Sequence, residues 1–389
     1  MTKILYIQDK MKNRAGMERI LTAKINYLAE HTNYQLYLLT YEQEGSPLPF
    51  SIAQSVQHIS IDHIIPLRKD YSISVWFIKF LATRKHFHKS FIKQIEDIKP
   101  DIVICNPYSF SVIDLIITVS TSKGIKTIIE SHTKLSSTLL SNKFKYNKAL
   151  YSLIKKWDEL IMNRLRPVSN VVTLTKQDAK DWEPFVNNIT VIPNFITITP
   201  KNVKSYSAKR VISAGRYAHE KGYDMLLKAW AIVTEVYPDW ELHIFGDGDS
   251  TPYAKMSQQL RISDSVFLHP STSDISEEFS NSSIYVMSSR YEGFGLVLAE
   301  AMSCGLASVA FDCPYGPRTI IEDRHDGLLV QREDIKQLSD GLLFLMSDPM
   351  IRITFGSNAS EDIKRFNKES IMQKWIDLIN TTVINNNRI

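Results

Sequence analysis

The chain holds almost nothing from which a disulfide scaffold or a membrane span is made. Its 389 residues contain three cysteines, Cys105, Cys304 and Cys313. They form no CxxC pair and cannot all pair with one another, so a reduced setting is expected. The longest apolar stretch, Phe110 to Val119, contains Asp114 and falls far short of the ~20 apolar residues that cross a bilayer. The opening Met1-Thr-Lys-Ile-Leu-Tyr-Ile7 reads as a first strand rather than a signal peptide. No internal repeat or low-complexity tract stands out beyond the polar Asn385-Asn-Asn-Arg388, read as a frayed end.

What is present describes a globular protein: 44% hydrophobic and 23% charged residues. The length favours two domains over one core. Charge is uneven. Residues 1–200 carry 26 Lys and Arg against 17 Asp and Glu, a net of +9, while the remainder carries −5 to give the overall +4. A basic first half beside an acidic second half suits an anionic partner that touches the first domain alone.

Short β-branched runs alternate with helical patterns, which points to βαβ units around parallel sheets. In the first half the expected strands are Ile4–Gln8, Gln35–Thr40, Val56–Ile61, Asp101–Cys105, Lys126–Glu130, Asn170–Leu174 and Thr190–Ile192. Helical patterns cover Glu18–Glu30, Ile73–Ile95 and Lys148–Arg164. A polar stretch with Pro200 and no helical period follows, read as a linker. The alternation then restarts with Arg210–Ala214, Tyr223–Val236, Glu241–Phe245, Ser265–Leu268, Ile284–Met287, Leu296–Cys304 and Ser308–Phe311. The expected class is α/β, with two Rossmann-like doubly wound domains facing a central cleft that holds the ligand. Expected boundaries are 1–195, a linker at 196–207, 208–368, and a final helical segment at 369–389 that crosses back to the first domain.

The run Arg290-Tyr-Glu-Gly-Phe-Gly-Leu-Val-Leu-Ala-Glu300 is the most informative stretch. Glu292 precedes Gly293, Phe294 and Gly295, where bare backbone approaches a ligand closely. Leu296 then starts a helix whose N-terminus attracts anions, and Glu300 lies on that helix. Hydroxyl-accepting carboxylates beside anion-binding amides suit a ligand with sugar hydroxyls and phosphates, a nucleotide sugar. Upstream, Gly215-Arg216 follows a strand and Lys221-Gly222 precedes a helix. Arg offers phosphate a planar fork and Lys a point charge, each charged bond being worth ~1.5–3 kcal/mol. Two solvated surface cations are the plain alternative.

These motifs, with Glu300-Ala-Met-Ser-Cys-Gly305, Asp312-Cys-Pro-Tyr-Gly-Pro317 and Asp326-Gly327-Leu-Leu-Val330 in the same order, resemble glycosyltransferase family 4, the glycosyl transferases group 1. The resemblance runs from about residue 3 to 380. It implies retaining enzymes of GT-B architecture, with Gly215, Arg216 and Lys221 on the diphosphate, Glu292 on the donor sugar and Glu300 on the ribose. Backbone at Gly246, Leu268, Gly293, Phe294, Gly295 and Leu296 would complete the donor pocket. His132, directly after a strand in Glu130-Ser131-His132, matches a loop that relatives place near the transferred sugar. Gly16, in Arg14-Ala-Gly-Met-Glu-Arg19, falls where many relatives have Gly-Gly on the acceptor side; Ala15 departs from that pattern. His269 departs from a common Gly. The catalytic set implied is Glu292, His132, Arg216 and Lys221.

Asp247-Gly248-Asp249 spells the DxD of another glycosyltransferase fold, but it follows a strand and reads as a turn. The GT-B class holds diphosphate with cations, so no metal or other cofactor is expected. From Arg68 to Lys99 eight cations interleave with Trp76, Phe77, Phe80, Leu81, Phe87 and Phe91, and Lys143, Lys145, Lys148, Lys155 and Lys156 add a second group. Such segments suit an anionic membrane surface or an amphipathic helix with a solvated basic face. No groove-reading motif accompanies the charge, so nucleic acid is not an expected partner. The expected protein is cytoplasmic, at most peripheral on the inner face of the cell membrane. It would transfer a hexose from a nucleotide sugar, UDP favoured, to a glycan or lipid-linked acceptor in bacterial polysaccharide or lipopolysaccharide assembly. A non-catalytic sugar-nucleotide binder and a GT-B sugar-nucleotide epimerase are the alternatives.

Overall fold

The computed structural model describes residues 1–13, 15–61, 63, 70, 72–106, 112–132, 135 and 148–384. Arg14, Arg68, Phe110, Lys143, Lys145 and Asn385–Arg388 therefore lie outside the described residues. The chain divides into two compact units, Met1–Pro193 with Ile371–Ile389, and Asn194–Ser370.

The first unit contains β1 (Lys3–Gln8), β2 (Gln35–Thr40), β3 (Gln57–Ser60), β4 (Ile102–Asn106), β5 (Lys126–Ser131), β6 (Asn170–Thr173) and β7 (Ile189–Val191). All pair in parallel, in the order β3-β2-β1-β4-β5-β6-β7. The central strands are buried along nearly their whole length, as in Ile102–Asn106. Parallel strands covered by helices on both faces require such runs. The helices are α1 (Gly16–His31), α2 (Ile73–Ile98), α3 (Ile113–Ser122), α4 (Lys148–Arg164) and α5 (Lys176–Trp182). In the apolar stretch noted above, α3 is a core helix. Its Asp114 is fully buried and takes a bidentate bond from Arg84 at 2.9 and 2.7 Å and another from Arg164 at 3.1 Å. Buried charge survives because it is paired and hydrogen-bonded.

Helix α2 divides its apolar residues between two environments. Trp76, Phe80, Phe87 and Phe91 are buried, whereas Val75, Phe77, Ile78 and Leu81 are exposed. The interleaved aromatics are thus only partly core.

The second unit contains β8 (Arg210–Ala214), β9 (Glu241–Phe245), β10 (Val266–His269), β11 (Ile284–Met287), β12 (Ala307–Phe311) and β13 (Leu328–Val330). Their order is β10-β9-β8-β11-β12-β13, again all parallel. Around them lie α6 (Tyr223–Val236), α7 (Thr251–Gln259), α8 (Ile275–Ser280), α9 (Leu296–Ser303), α10 (Pro317–Ile320), α11 (Ile335–Ser347) and α12 (Pro349–Asp362). The final helix, α13 (Lys368–Ile384), packs with the first unit. There Trp375 lies under the Lys24 ammonium at 3.9 Å and Tyr34 donates to Asn380 at 2.6 Å.

The stretch 196–207, read as a linker, is instead bonded into the second unit. Val203 N–H donates to Cys304 and Lys204 N–H to Ser280, while Lys201 pairs with Asp274 and Glu277. Polar composition marked it as free, but its polar groups are spent on long-range partners.

In both sheets the strand order reverses at the first strand. β1 lies between β2 and β4, and β8 between β9 and β11. Doubly wound sheets bind ligands outside the carboxyl ends of strands at such switch points.

Candidate functional site

Three loops meet at the switch point of the second sheet. One leaves β8 through Gly215 and Arg216 to Lys221, the second turns at Gly246 after β9, and the third runs from β11 through Ser288 to Gly295. Two glycines allow the meeting. A Cβ on Gly246 would lie 1.9 Å from the Gly215 carbonyl, and one on Gly222 would lie 2.0 Å from the Ser288 carbonyl. Side chains cannot occupy those volumes.

Lys221 and Glu292, 71 residues apart, meet in this cluster. The Lys221 ammonium donates to Glu292 Oε1 at 2.7 Å, and the Ser289 hydroxyl donates to the same oxygen at 2.6 Å. The Lys221 side chain passes over Gly215, where an added Cβ would sit 2.9 Å from its Cε. The loops are strapped from behind. Ser288 donates to the Lys221 carbonyl at 2.9 Å, and Arg290 makes a bidentate pair with Asp224 at 2.7 Å per bond. The Arg290 hydrogen bond holds the Asp224 carboxyl below its usual pKa. Arg216 is exposed on the same loop as Gly215, and its side chain has no hydrogen bond or ion pair among the described residues.

Helix α9 begins at Leu296 with Gly295 as N-cap and no side-chain cap. Its first N–H groups are therefore left for solvent or an anion. Phe294 is 3% exposed and meets Phe366 edge-on at 5.2 Å, so its side chain is packing and only its backbone faces a ligand role. Glu300 is 1% exposed and accepts from the Thr197 hydroxyl at 2.7 Å. It is not a helix-surface carboxylate.

Leu268 is partly buried in β10. The next carbonyl, that of His269, receives the Gly246 N–H at 3.1 Å and the Tyr217 hydroxyl at 2.9 Å. The His269 ring stacks on Phe245 and bonds to the His243 ring at 3.0 Å. Burial lowers both imidazole pKa values, and Arg210 beside them acts in the same sense. Asp247 accepts from Ser271 at 2.5 Å and Asp249 from the Thr251 N–H at 2.9 Å. Asp249 thus serves the local turn, and Asp247 ties that turn to the loop after β10.

Two expected residues lie in the first unit. Gly16 opens α1 after Ala15, which caps nothing with its side chain. His132 follows β5, with Nε2 2.9 Å from Glu130 Oε1 in an arrangement that is not a linear hydrogen bond. Glu130 also pairs with Lys24 of α1, and both are 1% exposed. Thr197, Ser289, Arg290, Lys24 and Glu130 carried no functional weight in the sequence. Ser289, Arg290 and Glu130 adjoin or fall within the quoted motifs; Thr197 and Lys24 act through contacts about a hundred residues apart.

Residues 195–362 match the family model described as glycosyl transferases group 1. Most of the second unit is therefore a group 1 glycosyltransferase domain, and the protein is a glycosyltransferase. Over 381 residues it is 29% identical to an uncharacterized glycosyltransferase of Haemophilus influenzae, covering 96% of this chain and 99% of that one. It is 25% identical over 393 residues to the amylovoran biosynthesis glycosyltransferase AmsD of Erwinia amylovora, covering 98% and 100%. Among solved structures it is similar to a variant of S. aureus TarM in complex with fondaparinux, alpha-GlcNAc-glycerol and UDP. The TM-score is 0.77 at 18% identity, covering 98% of this chain and 100% of that one. That likeness gives the fold, and the glycosyltransferase has GT-B architecture.

Proposed function

We propose that this glycosyltransferase moves a hexose, with retention, from a nucleoside diphosphate sugar to a hydroxyl of a cell-surface glycan or lipid-linked acceptor. The observation that carries the reading is the meeting of Lys221 and Glu292 over glycine-lined strand ends, beside an uncapped helix N-terminus. One cation and one carboxylate at the same point suit a ligand that changes from phosphate to sugar over a few ångströms.

In this reading Arg216 and Lys221 hold the diphosphate and stabilise the charge that develops as the glycosidic bond weakens. The α9 N-terminus takes a phosphate oxygen. Glu292, released from part of its bond to Lys221, accepts from donor-sugar hydroxyls, and Glu300 with Thr197 holds the ribose. The acceptor hydroxyl attacks from the face that the leaving phosphate quits, and that phosphate oxygen takes its proton. His132 steadies the sugar as positive charge builds on its ring. UDP is favoured because TarM was solved with UDP. No metal is required, since two cations supply the charge. The first unit offers the acceptor. The exposed apolar residues of α2 with its lysines hold the protein at the inner face of an anionic membrane.

Incubation with a panel of UDP-sugars and glycan acceptors should release UDP and yield a product with the donor's anomeric configuration by NMR. An inverted product overturns the retaining chemistry. UDP binding with no release for any acceptor overturns the transferase mechanism in favour of a binding protein.

A further inference from the structure

The switch point of the first sheet lies between β1 and β4, and the side chains at its carboxyl end have idle polar groups. Gln8 and Asn106 are register partners on the two strands. Asn106 is 2% exposed, yet neither its amide nitrogen nor its amide oxygen has a partner among the described residues. Gln8 is 1% exposed; its NH2 donates to Asp9 Oδ1 at 2.6 Å, and its carbonyl oxygen has no partner among the described residues. Asp9, directly after β1, is 6% exposed and lies beside Asn106, Tyr41 and Cys105. Each idle buried polar atom is destabilising. A fold keeps several such atoms together when a ligand satisfies them.

We propose that Asp9, Gln8 and Asn106 form the acceptor subsite, and that it takes an uncharged hydroxyl arm of a sugar or polyol. This rests on the transferase reading above. The idle set consists of one amide donor and two amide carbonyl oxygens, beside the Asp9 carboxyl, which accepts from the Gln8 NH2 and the Lys10 N–H. A hydroxyl both donates and accepts and so completes such a set, whereas a phosphate would face carbonyl and carboxyl oxygens. The charges acting on Asp9, from Lys10 and Glu42, oppose each other. Burial raises the Asp9 carboxyl to about 7, so it carries only part of a charge at neutral pH.

The test compares the full chain with Asn106→Leu, a substitution of similar volume. The variant should melt a few degrees higher, because an unpaired amide is replaced by an apolar group. Ribitol or methyl α-glucoside should raise the melting temperature of wild type more than that of the variant. The difference removes the general osmolyte effect. With a UDP-sugar present, the acceptor KM of the variant should rise at least tenfold while its UDP-dependent thermal shift persists. A lower melting temperature for Asn106→Leu, an equal polyol response in both proteins, or a wild-type-specific response to inorganic phosphate overturns the proposal. Absence of UDP binding in wild type overturns the donor reading instead, and leaves the polyol comparison standing.

Discussion

Removing Lys24 should destabilise the first unit in a pH-dependent way. Lys24 and Glu130 are each 1% exposed and hydrogen-bonded, and the ammonium also sits over Trp375. Burial pulls the Lys24 pKa down against the attraction of Glu130. Burial alone would push Glu130 up, but Lys24 and then His132 outweigh it and hold the carboxyl at about 2. The intact pair is therefore worth much less than the cost of breaking it. Lys24→Met strands a buried carboxylate, which costs about 3–5 kcal/mol. For a unit of roughly 200 residues at 2–4 °C per kcal/mol, the melting temperature should fall by about 6–20 °C at pH 7. Because the folded pKa of Glu130 lies below its usual 4.5, its stabilisation is present above that value and is lost as pH falls toward 2. The gap between wild type and variant should accordingly narrow below about pH 4. Replacing both partners, Lys24→Met with Glu130→Leu, should recover most of the loss. Circular dichroism melts from pH 3 to 8 read all three. A loss under about 1 kcal/mol at pH 7, or a gap independent of pH, refutes the reasoning.

Gly246→Ala places a methyl 1.9 Å from the Gly215 carbonyl and should force two loops apart, weakening UDP binding at least tenfold in a calorimetric titration; unchanged affinity would show that the loop contact is irrelevant to the nucleotide. Glu292→Gln should lower kcat by about 10²–10³-fold if its contact with the donor sugar tightens in the transition state, with the loss read from UDP release under saturating donor. Exhaustive EDTA treatment should leave turnover within about twofold if, as proposed, Arg216 and Lys221 take the place of a metal; loss restored by Mg²⁺ or Mn²⁺ would contradict this.

Strands and their flanking helices were legible because buried parallel strands leave continuous apolar runs. Tyr223–Val236, Glu241–Phe245 and Ile284–Met287 have the bounds that the sequence pattern predicts. Helix α3 was not, since it is short and only Thr118, Thr121 and Ser122 mark its exposed side. The stretch 196–207 misled because its side chains are polar, although Thr197 is bonded to Glu300 and Lys201 to Asp274 and Glu277. At the site, Gly215, Arg216, Lys221 and Glu292 could be read because glycines and charges cluster between strand and helix. The burial of Glu300 and the idle amide of Asn106 could not. Each is one polar residue in an apolar run, and only the packed structure reveals whether it has a partner.

The second unit should grip a nucleoside diphosphate through Arg216 and Lys221. Calorimetric titration of UDP into wild type, Arg216→Ala and Lys221→Ala tests it most directly. Saturable binding by wild type, weakened at least tenfold in each variant, is the predicted result. Equal affinities in all three proteins, or no binding of UDP, GDP or ADP by wild type, would contradict it.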